Sequence, residues 1–183
     1  GDKIVEWDPS GNIIWEWNTF DYLDFIEDYD IIGGSWNIFT LSDDVYDWTH
    51  CNALTFDENN NKIYLSSRNL SRIIKIDYPT GDIDWQIGFN MPSNEVDCGL
   101  DLNFSFQHSI QVLDNGNIMI FDNGNLSQTF LGTAFQVTRA LEIQVSENAG
   151  TSTANIVWEY SLSEDLFGFA SGNVQKLENG NYL

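Results

Sequence analysis

The chain carries two histidines, His50 and His108, among 183 residues, and each stands directly before a stretch that reads as a strand. Imidazole titrates near neutrality, attacks as a nucleophile when neutral and protonates a leaving group when charged. Two of them at corresponding places point to acid–base or nucleophilic work at one site; the plainer reading is that each caps its own loop. Cations are scarce, with seven Lys and Arg in all. Arg68, in SSRN, and Arg139, which opens a later strand pattern, are the candidates to grip an anion through a planar guanidinium fork. Asn123, in FDNGN, joins them as a candidate substrate-binding residue, whereas Arg72 is read as pointing to solvent beside Lys75.

The elements that must position these residues are hairpins. In FSFQHSIQVLDNGNIMIFDNGN, residues 104–125, Ile110, Val112, Ile118 and Ile120 alternate about Asn115-Gly116, a pair suited to a type I′ turn. This predicts strands over residues 109–114 and 117–122, with His108 at their entrance. HCNALTFDENNNKIYLSSR and GNVQKLENGNYL repeat the pattern. A second hairpin type recurs in KIVEWDPSGNIIWEW, RIIKIDYPTGDIDWQI and RALEIQVSENAGTSTANIVWEY, placing Trp15, Trp85 and Trp158 alike at intervals of roughly 70 residues.

A four-strand unit repeated at that period describes an all-β fold, a β-propeller of four-stranded antiparallel blades. The predicted organisation is a half-blade over 1–17, full blades over about 50–87 and 108–160, and a half-blade over 172–183. These three blade equivalents suit part of a six-bladed ring, completed by further sequence or by self-association with a second copy. Long connections, 18–47 and 88–107, are of the kind that shape binding sites.

Composition narrows the partners. A formal charge of −21 argues against nucleic acid and anionic membrane, both of which would repel the chain, and suits an extracellular or periplasmic setting. No apolar run is long enough to span a bilayer. Cys51 and Cys98 are open to pairing or to remaining free, and the sequons at Asn69, Asn103 and Asn125 are weak signals. Acidic groups at Asp21, Asp24, Glu27, Asp28, Asp43, Asp44 and Asp47 could meet a hard cation, but none forms an EF-hand loop and no metal site is assigned.

DWTHCNAL, YLSSRNLSRIIKID, DIDWQIG, FQHSIQVLDNGNIMIFDNGN, TRALEIQV, VWEY and SGNVQKLENGNYL, in that order, resemble the bacterial arylsulfate sulfotransferase family over nearly the whole chain. The resemblance implies a six-bladed, exported propeller that moves a sulfuryl group from a phenolic sulfate ester to a phenol through a sulfated histidine, with neither nucleotide donor nor cofactor. It gives His50 and His108 catalytic roles and makes Arg68 an anion clamp. The sequence also departs from that pattern. Where the family's best-studied form places an arginine after FDNG, residues 125–128 have none, so Arg139 could substitute only if its strand turned it inward. No histidine follows His108, and the stretch matching the sulfated histidine offers Asn173 and Gln175. The nucleophile therefore lies in further sequence, or falls to His50 or His108, or this branch is a non-catalytic propeller acting as a binding or assembly module.

Overall fold

The computed structural model describes residues 1–24, 47–89, 96–97, 102–148 and 152–183. Glu27, Asp28, Asp43, Asp44 and Cys98, singled out above, lie outside the described residues. What is described is all-β, with antiparallel sheets and helices of a single turn, α1 (Thr19–Tyr22) and α2 (Ser127–Phe130). Strands β1 (Lys3–Trp7) and β2 (Ile13–Asn18) pair as a hairpin. A four-stranded meander follows: β3 (Cys51–Asp57), β4 (Lys62–Ser67), β5 (Arg72–Asp77) and β6 (Ile83–Gly88). The next sheet runs through β8 (His108–Val112), β9 (Ile118–Asp122), β10 (Arg139–Ser146) and β11 (Ser152–Ser161), and β7 (Val96–Asp97) joins its far edge parallel to β11.

The three tryptophans take equivalent places in the register. Trp15 faces Glu6, Trp85 faces Lys75 and Trp158 faces Glu142, and a β-bulge follows each of those charged residues. Alternation keeps one tryptophan and one charge at the same place in every unit, and the bulge adds local twist. Each charged residue is met from a neighbouring element. Tyr78 Oη donates to Glu6 at 2.6 Å, Lys75 Nζ donates to Glu147 at 2.6 Å, and Lys176 Nζ and Tyr182 Oη donate to Glu142 at 2.7 and 2.9 Å.

The turn chemistry differs from the sequence expectation. Asn115 is not left-handed. Instead Gly116 alone takes φ +82°, its N–H bonds Leu113 O at 2.8 Å, and Leu113 N–H bonds Asn117 O at 2.9 Å. This is a three-residue loop ending in a left-handed glycine bulge, not a two-residue type I′ turn, so β8 ends two residues earlier and β9 begins one residue later than predicted. The same bonding closes residues 177–181, where Gly180 N–H reaches Leu177 O and Leu177 N–H reaches Asn181 O, both within 2.9 Å. That hairpin leans on the second sheet, with Tyr182 stacked on Trp158 at 3.6 Å between centroids.

Two apolar clusters join the layers. Ile73, Trp85 and Ile87 of the first meander pack with Phe104, Ile118, Ile120, Leu141 and Ile143, which come from or adjoin the second sheet. Trp17 of β2 packs with Trp48, Ile63, Leu65, Ile74 and Ile76. Each fully buried aliphatic contributes about 1.5–3 kcal/mol, so these clusters fix how the sheets sit. The consequence for function is that β3 lies alongside β8, bringing together the strand entrances that carry the two histidines.

Candidate active site at the two strand entrances

His108 opens β8 next to a register shift that separates the His108–Phe121 pair from Gln111–Met119. Its ring is held at both nitrogens. Nδ1 lies 2.7 Å from Asn123 Oδ1 and 3.2 Å from Phe106 O, and Nε2 accepts the Ser171 N–H at 3.3 Å. Asn123 follows β9 directly and is fully buried. Its amide nitrogen donates to Gly168 O at 2.7 Å and Ser171 O at 2.8 Å, while Thr138 Oγ1 holds its carbonyl at 2.9 Å. Partial burial pushes the His108 imidazole below its ordinary proton affinity, with the charges of Arg68 and His50 adding to the fall and the Asn123 and Phe106 bonds opposing it.

His50 sits immediately before β3 with φ +45° and its side chain 39% exposed. Its Nδ1 is paired with Asp47, three residues back. Arg68 N–H bonds His50 O at 3.1 Å, and Ser67 Oγ bonds Thr49 O at 2.7 Å, so the end of β4 anchors this loop. The two entrances are tied directly. Asn52 Nδ2 donates to Gln107 O at 2.8 Å, and buried Gln107 reaches back into the first meander, where Ser66 Oγ, Ser67 O and Arg72 O lie 3.0–3.1 Å from its amide nitrogen. Among the described residues other than glycine, positive φ occurs at His50, Asn61, Ser71, Phe106, Ser109 and Ser171. Four of these are a candidate histidine, a residue within two of one, or the donor to His108 Nε2. Strained backbone gathers where function over-determines geometry.

Arg68 belongs to this cluster. It is 2% exposed, stands 4.5 Å over the ring of Phe106, two residues before His108, and donates to Asn69 Oδ1 at 2.8 Å. Burial lowers its proton affinity and the Asp47 charge opposes that. It brings positive charge beside His108 in an otherwise acidic chain.

The structure places two of the sequence candidates and corrects one expectation. Arg139 is turned into the sheet: it is 4% exposed, its Nε and Nη2 lie 2.8 Å from Asp122 Oδ2, and Nη1 lies 3.4 Å from Glu159. Register explains this, because Arg139 is the direct partner of Asp122 across β10 and β9. Arg72, expected at the surface, is 1% exposed and donates to Gln86 at 3.1 Å. Asn123 is engaged with the His108 imidazole and with loop 168–171.

Sequence reasoning missed Asp47 as a histidine partner, and Gln107 and Ser171 altogether. The i, i+3 spacing of Asp47 and His50 in DWTH was the available signal; nothing local marks Ser171. Asn173 does come to the site's edge, accepting from Ser109 Oγ at 2.5 Å. Cys51 is unbridged, and burial followed by the charge of Asp2 pushes its thiol far above the ordinary range, so it offers no nucleophile. A cavity of about 280 Å³ beside the start of β3 is lined by Asp2, Trp17, Cys51 and Asn52 among others. The Asp2 carboxylate makes it a poor seat for an anion.

No curated protein matches the chain. The family described as Arylsulfotransferase (ASST) matches residues 1–183, the whole of the sequence, and the chain belongs to that family.

Proposed function

We propose that the protein moves a sulfuryl group from a phenolic sulfate ester to a phenol, with His50 and His108 as the reacting or sulfate-binding imidazoles and Arg68 as the anion-side charge. Family membership supports arylsulfotransferase-like activity in general. The observation that carries the finer reading is the tie between the two histidine-bearing entrances, Asn52 to Gln107, with Arg68 lying over Phe106 between them. On this reading the sheets are successive blades of a propeller, with β3 and β8 as innermost strands; their side-by-side course and the repeated tryptophan register favour it.

The chemistry follows. The S–O bond to the aryl group breaks and a new S–O bond forms to the acceptor oxygen. The departing phenolate takes a proton, and the acceptor phenol gives one up, both within reach of imidazole nitrogens. The three sulfuryl oxygens keep their negative charge throughout, which Arg68 offsets. The strongly acidic composition favours an extracellular or periplasmic setting, and aryl sulfate and phenol are the partners this chemistry needs.

The test is turnover of a chromogenic nitrophenyl sulfate with a phenol acceptor. The parent chain should release nitrophenolate, and His108→Ala should abolish release while its circular dichroism stays unchanged; an inactive parent, or full activity in His108→Ala, would refute the proposal. A second reading, a non-catalytic module that binds sulfated or aromatic ligands, is favoured by one observation: Arg139 is locked to Asp122 and cannot act as a second clamp. Saturable binding of the ester by calorimetry without turnover would select that reading.

A further inference from the structure

We propose that Asn123 is a positioning residue that fixes His108 as its Nδ1–H tautomer, leaving the Nε2 lone pair on the exposed side of the ring. This rests on the sulfuryl-transfer reading for its chemical meaning, and on geometry for its substance. Asn123 Nδ2 faces two carbonyls, Gly168 O and Ser171 O, at 2.7 and 2.8 Å. Carbonyls only accept, so the nitrogen must point there and Oδ1 must point at the imidazole. Oδ1 also only accepts, as does Phe106 O, and both lie within hydrogen-bond reach of Nδ1. The proton is therefore on Nδ1. At the other end of the ring Ser171 N–H, which only donates, faces Nε2. All three contacts agree on this tautomer, and two of them depend on Asn123, which bonds Nδ1 itself and holds the Ser171 carbonyl. The depressed proton affinity of His108 agrees with a ring kept neutral.

The consequence is chemical. A neutral Nε2 lone pair can take the acceptor's proton or attack sulfur without first losing a proton of its own. The Ser171 N–H covers that lone pair only loosely, at 3.3 Å, so a substrate can displace it. Were Asn123 absent, the ring could rotate or adopt the Nε2–H form, which would present a donor where the reaction needs an acceptor.

Long-range proton–nitrogen-15 correlation spectra of the full chain at about pH 7.5 read the tautomer directly, with His50→Gln assigning the two rings. His108 should show a protonated Nδ1 and a pyridine-like Nε2; a protonated Nε2 overturns the assignment. In Asn123→Ala that preference should be lost and kcat should fall about 10–100-fold with KM nearly unchanged. An unchanged tautomer in a folded Asn123→Ala also overturns it. If that variant does not fold, the parent spectrum still decides. The two readings fail separately: an Nδ1–H ring in a chain without turnover removes the sulfuryl-transfer reading and keeps the positioning role, whereas turnover with an Nε2–H ring does the reverse.

Discussion

Arg139 and Asp122 face each other as register partners inside the second sheet, with two guanidinium nitrogens 2.8 Å from one carboxylate oxygen. The other oxygen accepts the N–H groups of Ser105 and Gly124 at 2.9 Å each. The pair is therefore a structural node beneath Asn123. Arg139→Met leaves a fully buried carboxylate without its cation and should cost about 3–5 kcal/mol, visible as a large fall in the thermal midpoint. Burial already pushes Asp122 up to about 6 against the pull of Arg139, so the loss in Arg139→Met should be greatest above that pH, where the carboxylate must be charged. An unchanged midpoint would show that the pair is dispensable.

His108 gives a pH signature of its own. Its folded proton affinity lies below the ordinary imidazole value, so its contribution to stability is present above about pH 6.5 and is lost as pH falls through the lower folded value. The denaturant midpoint of the parent, relative to His108→Gln, should therefore decline between neutral and mildly acidic pH. Burial is the first cause and the Arg68 charge a smaller one, so Arg68→Met should raise the imidazole's NMR titration midpoint only part of the way back. A midpoint in the parent above the ordinary value would contradict the described burial.

The contact between Lys75 and Glu147 joins the first meander to the end of β10, and its two halves are unequally placed. Lys75 is buried beside the rings of Tyr64 and Trp85 at 5.9 and 5.7 Å, whereas the Glu147 side chain is about half exposed. Trp85 Nε1 shares the same carboxylate oxygen at 3.0 Å. Glu147→Ala strands a buried ammonium, with Asp84 at 3.8 Å a poor replacement, and should cost about 2–4 kcal/mol. Lys75→Met puts an apolar chain in an apolar slot and frees Glu147 to water, costing about 1 kcal/mol or less. Equal losses in the two variants, measured by urea unfolding, would mean that burial does not govern this contact.

Much of the fold was legible because spacing carries it. The recurrence of Trp15, Trp85 and Trp158 located three equivalent strands, and each proved to face a charged residue in the register. The place of the histidines at strand entrances was legible for the same reason. The direction of an arginine was not, since Arg72 and Arg139 open interior strands, β5 between β4 and β6 and β10 between β9 and β11, where partners from neighbouring strands and not local spacing decide which face is buried; Arg139 meets Asp122 and Arg72 meets Gln86. Nor was the hold on His108 legible, because Asn123 and Ser171 reach it only through tertiary folding.

Gly124 and Gly116 share a left-handed backbone, φ +71° and +82°, yet only one has room for a side chain. A methyl at Gly116 would meet nothing within 4 Å, so Gly116→Ala should cost only the conformational penalty, about 1–2 kcal/mol. At Gly124 the same methyl would fall 1.8 Å from Val137 O, a backbone atom that cannot swing aside. Either β10 must retreat from its start or the segment carrying Asn123 must move, adding roughly 1–3 kcal/mol of overpacking strain to the conformational penalty. Because Asn123 is the preceding residue, Gly124→Ala should also disturb the NMR titration of His108, which Gly116→Ala, at the far end of the same hairpin, should leave as in the parent. Measuring both midpoints and both imidazole titrations separates a local cost from one that reaches the site; equal behaviour of the two variants would break the link drawn between this glycine and the histidine.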